Sequence, residues 1–159
     1  MASLIKKPRV FETITFLHTA LQRYGKEHPR IAVAALNPHC GEEGMFGREE
    51  IDQIGPAVEQ ARAMGVNVVG PYPADTLFLR VEKEHLDGII SMYHDQGQIA
   101  TKLLGFDRGV TVLGGLPIPI STPGHGTAFD IAGQGKANPE AIRRAFLIAC
   151  RMAANQKRG

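Results

Sequence analysis

Two histidines stand just past the ends of apolar runs. Ile31 to Leu36 leads into Asn37-Pro38-His39-Cys40-Gly41-Glu42-Glu43-Gly44, and Gly88 to Tyr93 leads into His94-Asp95-Gln96-Gly97. Short, continuous apolar runs of this kind suit strands buried on both faces, and open α/β sheets build their sites where such strands end. Two imidazoles placed in this way can share one divalent metal, with an Asp or Glu as a further ligand or as an orienting partner. The plainer alternative is a hydrogen-bonded loop residue at each position. The equivalent placement of the two brings the metal reading level with it. His18, His28 and His85 read as surface or helix-end residues and carry no functional expectation.

A second constellation lies further on. Pro123 to Pro139 contains Gly124, His125, Gly126, Thr127, Ala128, Asp130 and Asn138, and is dense in glycine and small residues ahead of a helix. Glycines allow close backbone approach, and free N–H groups suit a phosphate or an adenine edge. An ordinary irregular loop would read in the same way. Lys102 sits two turns into the helix after His94, either pairing with an anionic substrate or standing solvated on a helix surface. Asp75, in Pro73-Ala74-Asp75-Thr76, is either a helix cap or a carboxylate facing a cleft, with the cap the simpler choice.

The elements that must hold these residues follow from periodicity. Phe11, Ile14, Leu17, Leu21 and Tyr24 recur at helical spacing, and Gly25 supplies a stop. The strand Ile31–Leu36 and the loop from Asn37 to Gly47 come next. Ile51, Ile54, Val58, Ala61 and Met64 mark a second amphipathic helix closed by Gly65. Val66 to Val69 predicts a strand ended by Gly70-Pro71, and a short helix is expected from Asp75 through Leu79. Gly88–Tyr93 is a third strand, Ile99–Leu104 a helix, Val110–Leu113 a fourth strand and Ile118–Ile120 a fifth. The last helix spans Pro139 to Ala154, with proline in its first turn. Strands alternating with helices imply an α/β layered fold with a largely parallel sheet. The chain opens on a helix with no strand before it, as though cut from something longer.

Composition bounds the function. A length of 159 residues fits one ordinary domain, and 43% apolar with 21% charged residues is the make-up of a soluble globular protein. Net charge is +2, with Lys and Arg scattered, so the basic stripe of a nucleic-acid binder is missing. No run approaches the ~20 apolar residues of a membrane helix, and Met1 to Val10 lacks the apolar core of a signal peptide. Cys40 and Cys150 form no metal or disulfide pattern, which suggests a reducing compartment. A cytoplasmic protein is expected.

Several motifs, in order, resemble the 4-hydroxythreonine-4-phosphate dehydrogenase (PdxA) family. They are Asn37-Pro38-His39, Phe46-Gly47, Glu49-Glu50-Ile51-Asp52, Gly70-Pro71 with Pro73-Ala74-Asp75-Thr76-Leu77-Phe78, and Met92-Tyr93-His94-Asp95-Gln96-Gly97. His125-Gly126-Thr127-Ala128 and Asp130-Ile131-Ala132-Gly133 complete the set, and His39 and His94 keep a spacing of fifty-five positions. The last block is also similar to the adenine-side cofactor loop of isopropylmalate and isocitrate dehydrogenases. The resemblance spans about Arg30 to Ala153. It implies a fold of that dehydrogenase type and an NAD- or NADP-dependent oxidation of a hydroxy acid, followed by decarboxylation, in pyridoxine biosynthesis. It further implies a divalent metal held by three histidines, of which His39 and His94 would be two, and a homodimer whose subunits share the site. Zinc, cobalt, nickel, magnesium and manganese all remain open as the metal. Lys102 would contact substrate, Asp75 would join it in the catalytic set, and Gly124, His125, Gly126, Thr127, Ala128, Asp130 and Asn138 would lie along the dinucleotide.

Two departures qualify the resemblance. The third histidine and the block that opens the family's first domain lie upstream of Met1, so residues 1–159 would be a single C-terminal portion of a longer enzyme, inactive alone. Thr111 and Ile120 stand where an Asn and an Arg are expected, and Gly124 where an Asp is. Loss of an arginine removes a bidentate anion partner, which points to a different hydroxy acid, such as a phosphorylated sugar acid or a cyclic dihydrodiol carboxylate. Two rivals remain: a non-catalytic module that keeps the fold and binds a ligand or a partner, and, more weakly, a phosphate acyltransferase.

Overall fold

The computed structural model of the protein describes residues 2–105 and 108–156. The chain forms two compact units. The first comprises residues up to 22 and 26–98, and the second comprises residues 23–25 and those from 99 onward.

The first unit is built on a parallel sheet of three strands, β1 (Ile31–Ala34), β2 (Val68–Tyr72) and β3 (Gly88–Ile90), in the order β2-β1-β3. Ile31 pairs with Val68 on one side and with Gly88 on the other. Every residue of β1 is buried, as an apolar run at the centre of a parallel sheet requires. Alternation along β1 divides its side chains between two cores. Ile31 and Val33 join Val10 and Ile14 of α1 (Lys7–Tyr24) and Ala57, Val58 and Ala61 of α2 (Gly55–Ala63). Ala32 and Ala34 face Leu77 and Leu86, with Val69, Tyr72 and Ile89 around them.

The boundaries differ from expectation at places with a physical cause. The helix predicted from Ile51 begins instead as a π-helical turn over Glu50–Ile54 before α2, because Pro56 lacks the N–H that a continuous α-helix would use there. Strand β2 does not end at Gly70-Pro71 but runs through it to Tyr72. Gly70 has φ +119, and a Cβ on it would stand 2.5 Å from the Val33 carbonyl oxygen of β1. Glycine there lets two strands close up. Helix α3 starts at His94 and extends to Gly105, well before the predicted Ile99. The short helix after Asp75 is a 3-10 turn over Leu77–Arg80 with Thr76 at its N-cap and no side-chain cap hydrogen bond, so Asp75 does not cap it.

In the second unit β4 (Val110–Leu113) and β5 (Ile120–Pro123) form an antiparallel pair of their own, with Leu113 opposite Ile120. The link 114–119 is too short for the crossover that parallel strands need, which accounts for the antiparallel pairing of these two strands. Helix α4 (Glu140–Gln156) buries Ala141 and Ala145, and the Ser121 hydroxyl of β5 donates to the Ala145 carbonyl at 3.0 Å.

Candidate metal and cofactor site

The chain leaves β1 toward β2 and returns on the opposite side of β1 as β3. The carboxyl ends of β1 and β3 therefore flank the point where strand order reverses, the usual crevice for ligands in open α/β sheets. His39 follows β1 and His94 follows β3 at this edge.

His39 is held tightly for a half-exposed side chain. Its ring stacks on Phe46, with centroids 4.3 Å apart and an interplanar angle of 17°. Its Nδ1 lies 2.7 Å from Glu42 Oε1. A carboxylate on one imidazole nitrogen fixes the orientation of the ring, the arrangement common behind metal-ligating histidines. Nε2 is the atom left to bind a metal. The contact between positions 39 and 42 arises from a left-handed run, with φ 51 at Cys40, 76 at Gly41, 38 at Glu42 and 54 at Glu43. The Asn37 Oδ1 accepts from the backbone N–H of His39 at 3.0 Å and of Gly41 at 3.3 Å, and closes the turn.

Glu50 lies beneath this loop, 6% exposed. Its Oε1 accepts from the Leu36 N–H at 2.7 Å, and its Oε2 has no hydrogen-bond partner among the described residues. A Cβ on Gly41 would stand 2.8 Å from that oxygen, so the carboxylate packs directly on the turn that follows His39. Burying a carboxylate is costly, and here it fixes the chain where β1 gives way to the loop. Cys40, part-buried, has its thiol pKa pushed above the ordinary value, first by burial and then by the charge of Glu50.

His94 is the first residue of α3, exposed, with Asp95 beside it in the first turn. Gln96 reaches back from the same turn. Its Oε1 accepts from the Met92 N–H at 2.8 Å, and its Nε2 donates to the Ala35 carbonyl at 3.1 Å. Neither Glu50 nor Gln96 was singled out from the sequence. A Gln in the third position of a helix is a recognised capping signal, but it stays hidden when the helix is expected to start five residues later. Nothing in the pattern marks Glu50 off from a solvated helix-end acid.

Asp75 is exposed in a loop tied to the histidine loop, since the Ala74 N–H donates to the Asn37 carbonyl at 3.4 Å and the Cys40 Sγ lies 3.6 Å from the Pro71 carbonyl. The structure thus brings His39, His94 and the Asp75 loop to one edge of the first unit. Among the described residues no group of three or more His, Cys, Asp and Glu side chains is gathered as a metal cage. The donor set fits a metal as two imidazoles, one of them carboxylate-oriented, which is a share of a site.

Lys102 and the glycine loop belong to the second unit. Lys102 is exposed on α3. In the loop, His125 Nδ1 lies 2.8 Å from the Gly126 carbonyl, and Ala128 is left-handed ahead of a 3-10 turn over Phe129–Ile131. Gln134 Nε2 donates to the Asp130 carbonyl at 2.7 Å. Asn138 Oδ1 accepts from the Glu140 N–H at 3.0 Å, which makes it a capping residue at the start of α4. A Cβ on Gly126 would meet nothing within 4 Å, so its backbone is open to approach. Thr111 and Ile120 lie on β4 and β5, and the Gly124 N–H donates to the Gly109 carbonyl at 2.9 Å.

The family model described as pyridoxal phosphate biosynthetic protein PdxA matches residues 1–149. The chain belongs to this family. A Pseudomonas aeruginosa relative, provisionally named 4-hydroxythreonine-4-phosphate dehydrogenase 2, is 60% identical over 151 residues, which is 94% of this chain and 45% of the relative. A D-threonate 4-phosphate dehydrogenase of Pectobacterium atrosepticum is 46% identical over 94% of this chain and 46% of its own length. The crystal structure of a 4-hydroxythreonine-4-phosphate dehydrogenase from Klebsiella pneumoniae superposes with a TM-score of 0.80 at 45% identity, over 94% of this chain and 46% of that one. The chain thus spans about half the length of the PdxA relatives it matches. No helix among the described residues is long and apolar enough to cross a membrane.

Proposed function

We propose that the chain is the C-terminal portion of an NAD(P)- and divalent-metal-dependent dehydrogenase of a phosphorylated hydroxy acid, with the layering of the isocitrate and isopropylmalate dehydrogenases. The carboxylate-oriented imidazole of His39, which follows β1 as His94 follows the neighbouring strand β3 at the reversal point of the sheet, is the observation that carries the reading. His39 binds through Nε2, with Glu42 and Phe46 fixing the ring, and His94 supplies a second imidazole. Bound there, a divalent ion would polarise the oxygens of the substrate, and the dinucleotide would accept the hydride. Asp75 and Lys102 act on the substrate as proton acceptor and anion partner, and the loop from Gly124 to Asn138 receives the dinucleotide. The names of the PdxA relatives support a four-carbon 4-phosphorylated acid as substrate. A homodimer is the proposed assembly, supported by large apolar side chains left exposed on the second unit, including Leu103 at 82% and Phe146 at 68%. The same chain by itself, with no three-ligand cage among its described residues, supports ligand binding without turnover.

A chimera tests both statements. The N-terminal half of the Pseudomonas aeruginosa relative is joined to this chain and assayed with NAD+ and NADP+ against D-threonate 4-phosphate and 4-hydroxythreonine-4-phosphate. The chimera is expected to reduce the dinucleotide only with a divalent metal, and the chain alone is expected to be inactive. Because Ile120 offers no cation, 4-hydroxythreonine-4-phosphate should be the poorer substrate, and Ile120→Arg should improve it roughly tenfold, about 1.4 kcal/mol of transition-state binding. A folded, metal-loaded chimera that oxidises neither acid would remove the proposal.

A further inference from the structure

We propose that Gln96 is a positioning residue whose side-chain amide locks the two histidine-bearing strand ends together and so sets the separation of His39 and His94. The inference rests on the reading of those histidines as metal ligands. Gln96 accepts from the Met92 N–H, two residues before His94, and donates to the Ala35 carbonyl, four residues before His39. Its two partners lie just beyond β3 and β1, where the ladder between the strands has ended. Backbone groups there need partners from elsewhere, and one neutral side chain satisfies one on each strand. The side-chain amide carries, on two separate atoms, the donor and the acceptor that this bridge uses. Glu50 secures the neighbouring Leu36 N–H from the other side of the loop. Glu50 and Gln96 thus both hold the β1 end, and of the two only Gln96 also reaches the β3 end. Metal sites tolerate only small errors in ligand placement, so a bridge between ligand-bearing segments acts on affinity as well as on stability.

The experiment compares the unaltered chain with Gln96→Leu, which keeps the bulk and removes both hydrogen bonds. A second variant, Gln96→Glu, keeps the acceptor for Met92 and loses the donor to Ala35. Co2+ is added while the ring signals of His39 and His94 are followed by NMR, and thermal unfolding is recorded separately. In the unaltered chain the two rings should move together with a single Kd. In Gln96→Leu that Kd should rise tenfold or more and the rings should respond independently, with Gln96→Glu in between. A merely structural role would lower the Tm and leave the shared Kd of the folded chain unchanged, and that result overturns the inference. If Gln96→Leu does not fold, Gln96→Glu decides, and an unchanged, shared Kd again overturns it. If neither ring of the unaltered chain responds to Co2+, the metal reading fails and the inference falls with it.

Discussion

At the residue scale, what matters around His39 is its immediate support. Placement of His39 after a buried strand was legible from the sequence, because a continuous apolar run ending in polar residues has few other meanings. Its partners Glu42 and Phe46 were not, since three- and seven-residue contacts depend on the left-handed run from Cys40 to Glu43. Non-glycine residues seldom take that conformation, so no pattern announces it. Asn138 is a similar case: its type suited a cofactor loop, and its side-chain Oδ1 also caps α4. The same crowding predicts thiol behaviour. Burial and Glu50 both disfavour the Cys40 thiolate, whereas Cys150 is exposed, and the thiolate is the reactive form. Alkylation near neutral pH, followed by mass spectrometry of the peptides, should label Cys150 first. Glu50→Gln should speed Cys40 labelling only modestly, because burial is the larger cause. Equal rates at the two cysteines would contradict this picture.

At the element scale, the sequence reading located the helices and strands and misplaced several of their ends. Apolar periodicity comes from the middle of an element, so α1, β1 and β4 were found, whereas the starts of α2 and α3 rest on Pro56 and on Gln96. The antiparallel β4–β5 pair was missed as such, because a strand's apolar pattern does not encode its partner. Gly70 reads as a terminator in isolation and is instead the residue at which β2 passes close to Val33. Its φ of +119 and that contact predict a contrast with Gly126, where an added Cβ meets open space. Gly70→Ala should cost about 2 kcal/mol or more, from strain alone in a glycine-favouring conformation. Gly126→Ala should be near neutral. Thermal unfolding of the two variants measures this, and a Gly70→Ala chain as stable as the parent would contradict the close approach.

At the scale of the whole molecule, the chain is a PdxA family segment that spans about half the length of its relatives, organised as two units with the histidines in one and the glycine loop in the other. Motif order made the family legible, because several separate blocks at their proper spacing are far harder to meet by chance than one glycine pattern. The two-unit organisation was not legible, since residue spacing records local periodicity and carries no trace of which elements share a core. On the proposed function, this chain brings two imidazoles, His39 and His94, to a divalent metal. It carries six histidines in all: His18 is half-buried on α1, His28 and His85 are exposed just before β1 and β3, at the amino ends of those strands, and His125 is exposed in the second unit. Adding Zn2+ to the chain while recording the ring nitrogen signals of all six separates them. Only His39 and His94 should respond, with His39 responding at Nε2 because Glu42 holds Nδ1. Metal-induced shifts at other histidines, or at none, would contradict it.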